Sequence, residues 1–223
     1  MMHLDVGCVS KMDGSCRWTD AGGSLVVASA VGPTHVSDKN PDPTIGSVEV
    51  RCSYAERGVL NRALLERALE DFVGSALNAA VDAAKFPRQT IAVSIYIVLE
   101  QGGGAAAAAL NAAVVALSDA RVPMRALPLA VEVWALQVAD EPKAGLLAVV
   151  DTRTSNFVSV DTRGTLSRAA FAACLGAARR DAAALLGYVL RQRSAAARAA
   201  APAALAGAAT PAAKRPRAEA ASV

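Results

Sequence analysis

The sequence predicts an α+β protein, a mixed sheet covered by helices, and three observations carry that reading. Apolar runs of strand length, bounded by glycine, proline and polar residues, recur through the first hundred residues and again after residue 128. Two segments, 56–84 and 166–191, switch to apolar residues at three- and four-residue steps, the period of a helix. Between them, QGGGAAAAALNAAVVALSDARVP reads as a helix with almost no side-chain bulk, entered from a glycine hinge and stopped by a proline. In chain order the elements are β-β-β-α-β-α-β-β-β-α, a mixed plan.

Residues 4–9 form a short apolar run, and KMDGSCRW after it reads as a hairpin with Asp13-Gly14 at the turn. SLVVASAVGP, residues 24–33, is apolar nearly throughout, as a strand covered on both faces would be. A polar composition and two prolines make 34–44 a loop, and 45–52 alternates well enough to be a third strand that pairs back. In the first helical segment Leu60, Leu64, Leu65, Leu69, Phe72, Val73, Leu77 and Val81 recur at helical steps, Gly74 marks a bend or a division, and Phe86-Pro87-Arg88 stops it. TIAVSIYIVL, residues 90–99, is the most strand-like decapeptide, rich in β-branched residues. Two further strands, 129–137 and 146–150, flank the charged turn ADEPKAG, and 157–160 offers another. A last helix over 166–191 takes Thr165 or Ser167 as its cap. Because alanine dominates 105–117, that helix can approach its neighbours closely and is expected to be buried.

Composition removes several function classes. A chain of 223 residues suffices for one cored domain plus a tail. Apolar residues make up 53% but aromatics only 4%, so alanine supplies much of the apolar content and little burial per residue. No run reaches the roughly 18 apolar residues that span a bilayer, and no basic stretch with a long apolar run opens the chain. A soluble, intracellular protein without membrane contact is expected. Cys8, Cys16, Cys52 and Cys174 lack metal-ligand spacing and only His3 and His35 could join them, so no metal and no cofactor are expected. The shortage of histidine also argues against Ser-His or Cys-His nucleophilic catalysis.

The charge is unevenly placed. From residue 182 onward Arg191, Arg193, Arg198, Lys214, Arg215 and Arg217 face Glu219 alone, a net +5, which leaves −2 of the overall +3 for residues 1–181. The core is therefore not a basic domain, and contact with nucleic acid would have to be local or shared with neighbours. Residues 1–193 are expected to fold and residues 194–223 to be a disordered Ala/Pro/basic tail, helical at most up to Pro202. Lys214, Arg215 and Arg217 form a candidate nuclear-import cluster.

Several motifs then occur in a fixed order. They are MDGS at Met12 to Ser15, GSLV at Gly23 to Val26, AVGP at Ala30 to Pro33 and FPRQTI at Phe86 to Ile91, followed by GG, a small-residue run, LNAA, ALSDA and VPMRAL. This order and spacing resemble the ribonuclease PH domain family, whose members read ADGS or PDGS, GDTxV, AVYGP, HPRTxI, and GG-[ST]-R-T-A-x-x-N-A-A followed by ALADAGIPM. The resemblance covers roughly residues 8–190. It implies the ribonuclease PH variant of the ribosomal-protein-S5-domain-2-like fold and assembly into a six-membered ring.

Active members of that family carry out phosphorolysis, in which inorganic phosphate attacks the last RNA linkage and releases a nucleoside diphosphate. A phosphate dianion beside an RNA backbone needs a cationic cradle. The arginine of the family's cradle falls on Ala106 here, with Ala105 and Ala107 beside it, so the phosphate site is degenerate. The family's paired carboxylates, which hold a divalent metal or protonate the leaving oxygen, are represented by Asp151, with Asn156 near the second position; Asp151 reads better as a strand-end residue capping a turn. The resemblance therefore points to a catalytically inert subunit of the kind found in the eukaryotic RNA exosome ring. It implies other RNase PH-like ring subunits, RNA-binding cap subunits and RNA as partners in a hetero-oligomer of the nucleus, nucleolus and cytoplasm. Candidate RNA contacts, expected to border the former active face, are Arg88, Arg57, Arg62 and Arg125, with Lys85 and Arg121. An active phosphate-dependent exoribonuclease is the alternative.

Overall fold

The computed structural model describes residues 2–35, 44–56, 61–101, 104–134 and 144–208, with side chains as far as residue 198. Strands β1 (His3–Val6), β2 (Gly14–Thr19), β3 (Leu25–His35), β4 (Ser47–Tyr54) and β5 (Gln89–Leu99) form a mixed sheet in the order β1-β2-β3-β5-β4. Strands β6 (Pro128–Trp134), β7 (Gly145–Asp151) and β8 (Asn156–Arg163) form a second, antiparallel sheet. Helix α1 (Arg62–Ala80) packs on β4, helix α3 (Arg168–Ala208) on β6, β7 and β1, and helix α2 (Ala105–Asp119) touches β1, β2, β3 and β5 of one sheet and β6 of the other.

The expected single sheet is thus two, and α2 is the reason. Twelve of its fifteen residues are buried, on every side of the helix. A helix apolar all round needs an apolar layer on both flanks. Its alanines let the two sheets close on it, while Leu110, Val114, Val115 and Leu117 fill the space between; each such buried side chain contributes about 1.5–3 kcal/mol. The buried packing helix read from the sequence is borne out.

Other expectations change in detail. Seven residues, 7–13, join β1 to β2, where a tight Asp13-Gly14 turn was expected. Asp13 instead ties this loop to β3: its N–H donates to the Ala30 carbonyl (3.2 Å), and its carboxylate accepts from Gly32 N (2.8 Å). Strand β3 is covered on one face only, since Val26, Ala28 and Ala30 are buried while Leu25, Val27 and Ser29 are partly exposed. Its small apolar residues made both faces look alike. In β5, Ile91, Val93, Ile95 and Ile97 face the core and Tyr96 and Val98 do not. Leu64 and Leu65 are exposed, because the first turns of α1 overhang the sheet; its buried stripe is Leu69, Val73, Ala76, Leu77 and Ala80. The helix runs unbroken through Gly74. Helix α3 overruns its expected end at Arg191 and continues past Pro202 to Ala208, for the run after Ser194 is mostly alanine, the strongest helix former. The charged turn between β6 and β7 lies largely outside the described residues.

The largest departure concerns β4. It does not pair back on β3 but runs parallel to β5, from Ser47↔Thr90 to Tyr54↔Ile97, because the α1 crossover separates the two strands in sequence. That leaves β4 as an edge, and α1 covers it. Glu66 accepts from Tyr54 N (2.9 Å), Glu70 from Cys52 N (2.9 Å) and Asn78 from Val48 N (3.2 Å). Four helical residues rise about 6 Å and two strand residues about 6.6 Å, so side chains at every fourth helix position meet alternate strand N–H groups.

Candidate functional site

A cavity of about 690 Å³ opens at the N-terminal end of α2, walled by β2, β6, α3 and the turn after β2. Trp18, Trp134, Leu185 and Tyr188 supply apolar wall, and the Tyr188 hydroxyl donates to the Met2 carbonyl (2.9 Å), drawing the start of the chain against it. Among the described residues, the charged lining residues are Asp20, Glu132 and Asp181, with no lysine or arginine.

Local sequence places these carboxylates. Asp20 closes the β2–β3 turn: its N–H donates to Ser24 O (3.0 Å) and its Oδ1 accepts from Ser24 N (2.8 Å). The buried Ser24 hydroxyl in turn bonds the Gln101 main chain, donating to its O (2.9 Å) and accepting from its N (3.1 Å), which fixes this turn against the entry to α2. Gly104 opens that helix, and a Cβ there would lie 2.7 Å from Asp20 Oδ2 and 3.7 Å from Glu132 Oε2. Glycine therefore lets two carboxylates close on the first turn of α2. The unpaired N–H groups there carry a partial positive charge, and a phosphate bound at this end would meet it. Here Asp20 already does. Glu132 reaches the same place from β6. Burial pushes its carboxyl above the ordinary range; Arg163, 3.9 Å away, pulls it down, while Asp20 and Glu100 push it further up. Its Oε1 is buried and accepts no hydrogen bond among the described residues.

The expected degenerate phosphate site is only partly in this cavity. Ala107 lines it, whereas Ala105 and Ala106 are packed in the interior, 2% and 7% exposed. Asn111, one turn further on, is buried and used for architecture: its Nδ2 donates to Ala130 O and its Oδ1 accepts from Ala130 N, both at 2.8 Å. Asp151 is elsewhere. It pairs with Pro128, at the end of β6 away from Glu132, roughly 13 Å along the strand. Its carboxylate accepts from Leu127 N (3.2 Å), Arg153 N (3.1 Å) and Thr154 Oγ1 (2.7 Å). Burial raises its pKa, but those hydrogen bonds outweigh it and hold the carboxyl below its ordinary value. Asp151 thus organises the β7–β8 turn, and Asn156 begins β8 across from it.

Among the described residues, none of the cationic candidates lines the cavity. Arg121 and Arg125 follow the C-terminal end of α2, and Arg125 N donates to Ala80 O while Asp82 N donates to Pro123 O, which brings Lys85 and Arg88 to that same end. Fifteen helical residues, about 22 Å, separate them from the carboxylates. Arg125 and Lys85 both pair with Asp82, and Arg62 pairs with Glu66 (2.7 Å). Arg88 is exposed and forms no ion pair among the described residues. Arg57, Lys214, Arg215 and Arg217 lie outside the described residues. Sequence reading missed Asp20, Glu132 and Asp181, which lie far apart in the chain and belong to no motif; the turn signal Asp20-Ala21-Gly22-Gly23 was the one local clue to the first.

The site thus lies where a buried small-residue helix enters between two sheets. Residues 1–123 match the 3′ exoribonuclease family, domain 1, and the chain belongs to that family. It is similar to the exosome complex component rrp46 of Schizosaccharomyces pombe, with 32% identity over 139 residues, 61% of this chain and 60% of that protein. It is also similar to the exosome complex component RRP41 homolog of Arabidopsis thaliana, with 29% identity over 55% of this chain and 53% of that one. The matched stretch thus spans little more than half the length of these curated relatives. Among solved structures, rice (Oryza sativa) Rrp46 superposes with a TM-score of 0.70 at 20% identity, covering 82% of this chain and 88% of that one. The archaeal exosome core superposes with a TM-score of 0.67 at 20% identity, covering 85% and 86%. These likenesses establish the ribonuclease PH fold.

Proposed function

We propose that this chain is a catalytically inert ring subunit of an RNA exosome, one that supports the ring and offers RNA a path without cleaving it. One observation carries the reading: Asp20 and Glu132 stand at the helix end at which a phosphate would be held, and no cation among the described residues lines the cavity around it. A phosphate dianion about 6 Å from one carboxylate, at an effective dielectric of about 20, is opposed by roughly 5 kcal/mol. Phosphorolysis needs the opposite field at that point. The likeness to exosome components in yeast and plants supports the ring assignment.

In this reading residues 1–193 carry the ring-forming domain and residues 194–223 a basic tail whose Lys214, Arg215 and Arg217 serve nuclear import, with work in nucleus, nucleolus and cytoplasm. The partners are other RNase PH-like subunits, RNA-binding cap subunits and RNA, the last met by Arg57, Arg62, Arg88 and Arg125. The exposed Tyr96, Val98 and Leu99 of β5 and Val158 and Val160 of β8 are apolar surface that ring neighbours would cover. The test is native purification of the tagged chain with quantitative mass spectrometry. Near-equal recovery of other RNase PH-fold subunits is expected; a chain recovered alone, or as a homo-oligomer, would refute ring membership.

A further inference from the structure

The pole of the molecule opposite the cavity carries a second feature, built on backbone as well as charge. Five described non-glycine residues have left-handed backbone: Lys11, Asn61, Arg88, Arg121 and Ser155, with φ between 56° and 73°. Four of them, all but Asn61, belong to loops at the C-terminal end of α2, and three of those four are cations. Arg121 is the clearest. Val122 N donates to Leu117 O (3.0 Å) and Arg121 N to Ser118 O (3.3 Å), the left-handed helix ending that ordinarily selects glycine. A left-handed residue with a Cβ is strained, and such strain concentrates where a side chain has a task.

The neighbours fit that view. Arg153 reaches Arg125 O from the β7–β8 turn, and Gly14, at the end of the loop bearing Lys11, is packed against Ala116 and Ala120. Four described carboxylates of this pole are already engaged: Asp82 by Lys85 and Arg125, and Asp13, Asp119 and Asp151 by main-chain N–H groups of Gly32, Ser15 and Leu127. Arg88, Arg121 and Arg153 are exposed and make no ion pair among the described residues.

We infer that Arg88, Arg121 and Arg153, with Lys11, form a surface that holds the phosphate backbone of single-stranded RNA, about a helix length away from the degenerate phosphorolytic site. The inference rests on the RNA-guiding part of the proposed function and moves its contact surface to this pole. Cations carried on separate loops suit an extended phosphate chain better than one compact acidic group. Phe86, the aromatic residue of these loops, is packed against the core, so bases find no stacking platform and binding is indifferent to sequence.

The test is fluorescence anisotropy of an oligouridylate with the full chain across a salt series, comparing wild type with R88G/R121G/R153A. Glycine relieves two left-handed positions, so the variant should melt no lower than wild type while its log-log salt slope falls by about 2, at roughly 0.7 per lost phosphate contact. Arg17→Ala, on the outer face of the five-stranded sheet, should change neither. The inference is overturned if the triple variant binds like wild type, if the loss follows Lys214, Arg215 and Arg217 instead, or if poly-glutamate competes as well as RNA. Ring assembly, read by native purification of the same variant, should be unaffected. RNA binding through this pole by a chain that joins no ring would sink the ring assignment and leave this surface standing.

Discussion

Asn111 stands between α2 and β6, 3% exposed, with both ends of its amide bonded to Ala130 at 2.8 Å. Ala130 sits opposite Val149 of β7, yet its N–H and C=O point the other way, toward the free edge of β6, where Asn111 acts as a one-residue neighbouring strand. Asn111→Ala orphans both groups in a dry interior. Each buried unsatisfied main-chain group costs about 1–3 kcal/mol, so the loss should be about 2–5 kcal/mol. At this chain length that corresponds to a fall in Tm of roughly 5–15 °C. Urea and thermal unfolding followed by circular dichroism measure it, with the m-value unchanged. Asn111→Asp refines the point, because an ionised carboxylate can accept from Ala130 N but faces Ala130 O without a proton; its deficit should be large at pH 7 and shrink on acidification. A loss under about 0.5 kcal/mol for the alanine variant, or a wild-type Tm for the aspartate variant at pH 7, would refute this account of how the two layers are joined.

Three further outcomes follow from the site. Glu132 has a folded pKa raised by burial, so its ionisation opposes folding above its ordinary value of 4.5 and has no effect below it; Glu132→Gln should raise the melting temperature at pH 7, with the gain vanishing on acidification below 4.5. Asp151 has a lowered folded pKa, so its contribution is complete above 3.8 and is lost as pH falls through the folded value; Asp151→Asn should lower the melting temperature at pH 7 and converge with wild type in acid. Ala106→Arg restores the family's arginine by sequence position, but it buries a cation in the packed interior of α2, at a cost of about 3–5 kcal/mol. Unfolding and diphosphate-release assays should show a destabilised protein that still does not phosphorolyse RNA.

Local pattern carried much of the fold. The alanine run of α2 announced a helix that must be enclosed, and TIAVSIYIVL announced β5. What local pattern could not carry was partnership. Strand β4 alternates as an antiparallel partner would, and only the α1 crossover, with Glu66, Glu70 and Asn78 meeting its edge, makes a parallel neighbour of β5 workable. Two sheets rather than one follow from burial around all of α2, which a sequence shows as composition and not as geometry. Of the alanines the sequence singled out, Ala107 alone lines the cavity, and the carboxylates that share it were illegible. Asp20, Glu132 and Asp181 come from a turn, a strand and a helix, and no spacing rule joins them. The length of α2 decides that Arg88, Arg121 and Arg125 stand at the end of the molecule away from the cavity, whereas Arg62, beside the Tyr54 end of β4, does not share that end; residue type alone shows neither.

The central claim is that a carboxylate-lined helix end cannot hold the attacking phosphate. A labelled RNA, incubated with the purified chain and then with its isolated complex, with and without inorganic phosphate, tests it most directly. The account predicts no phosphate-dependent nucleoside diphosphate from the chain alone, and no change in the complex when Asp20, Glu132 or Asp151 of this chain is replaced by its amide. Diphosphate release by the chain alone, or release by the complex that disappears with one of those replacements, would contradict it and make this subunit an enzyme.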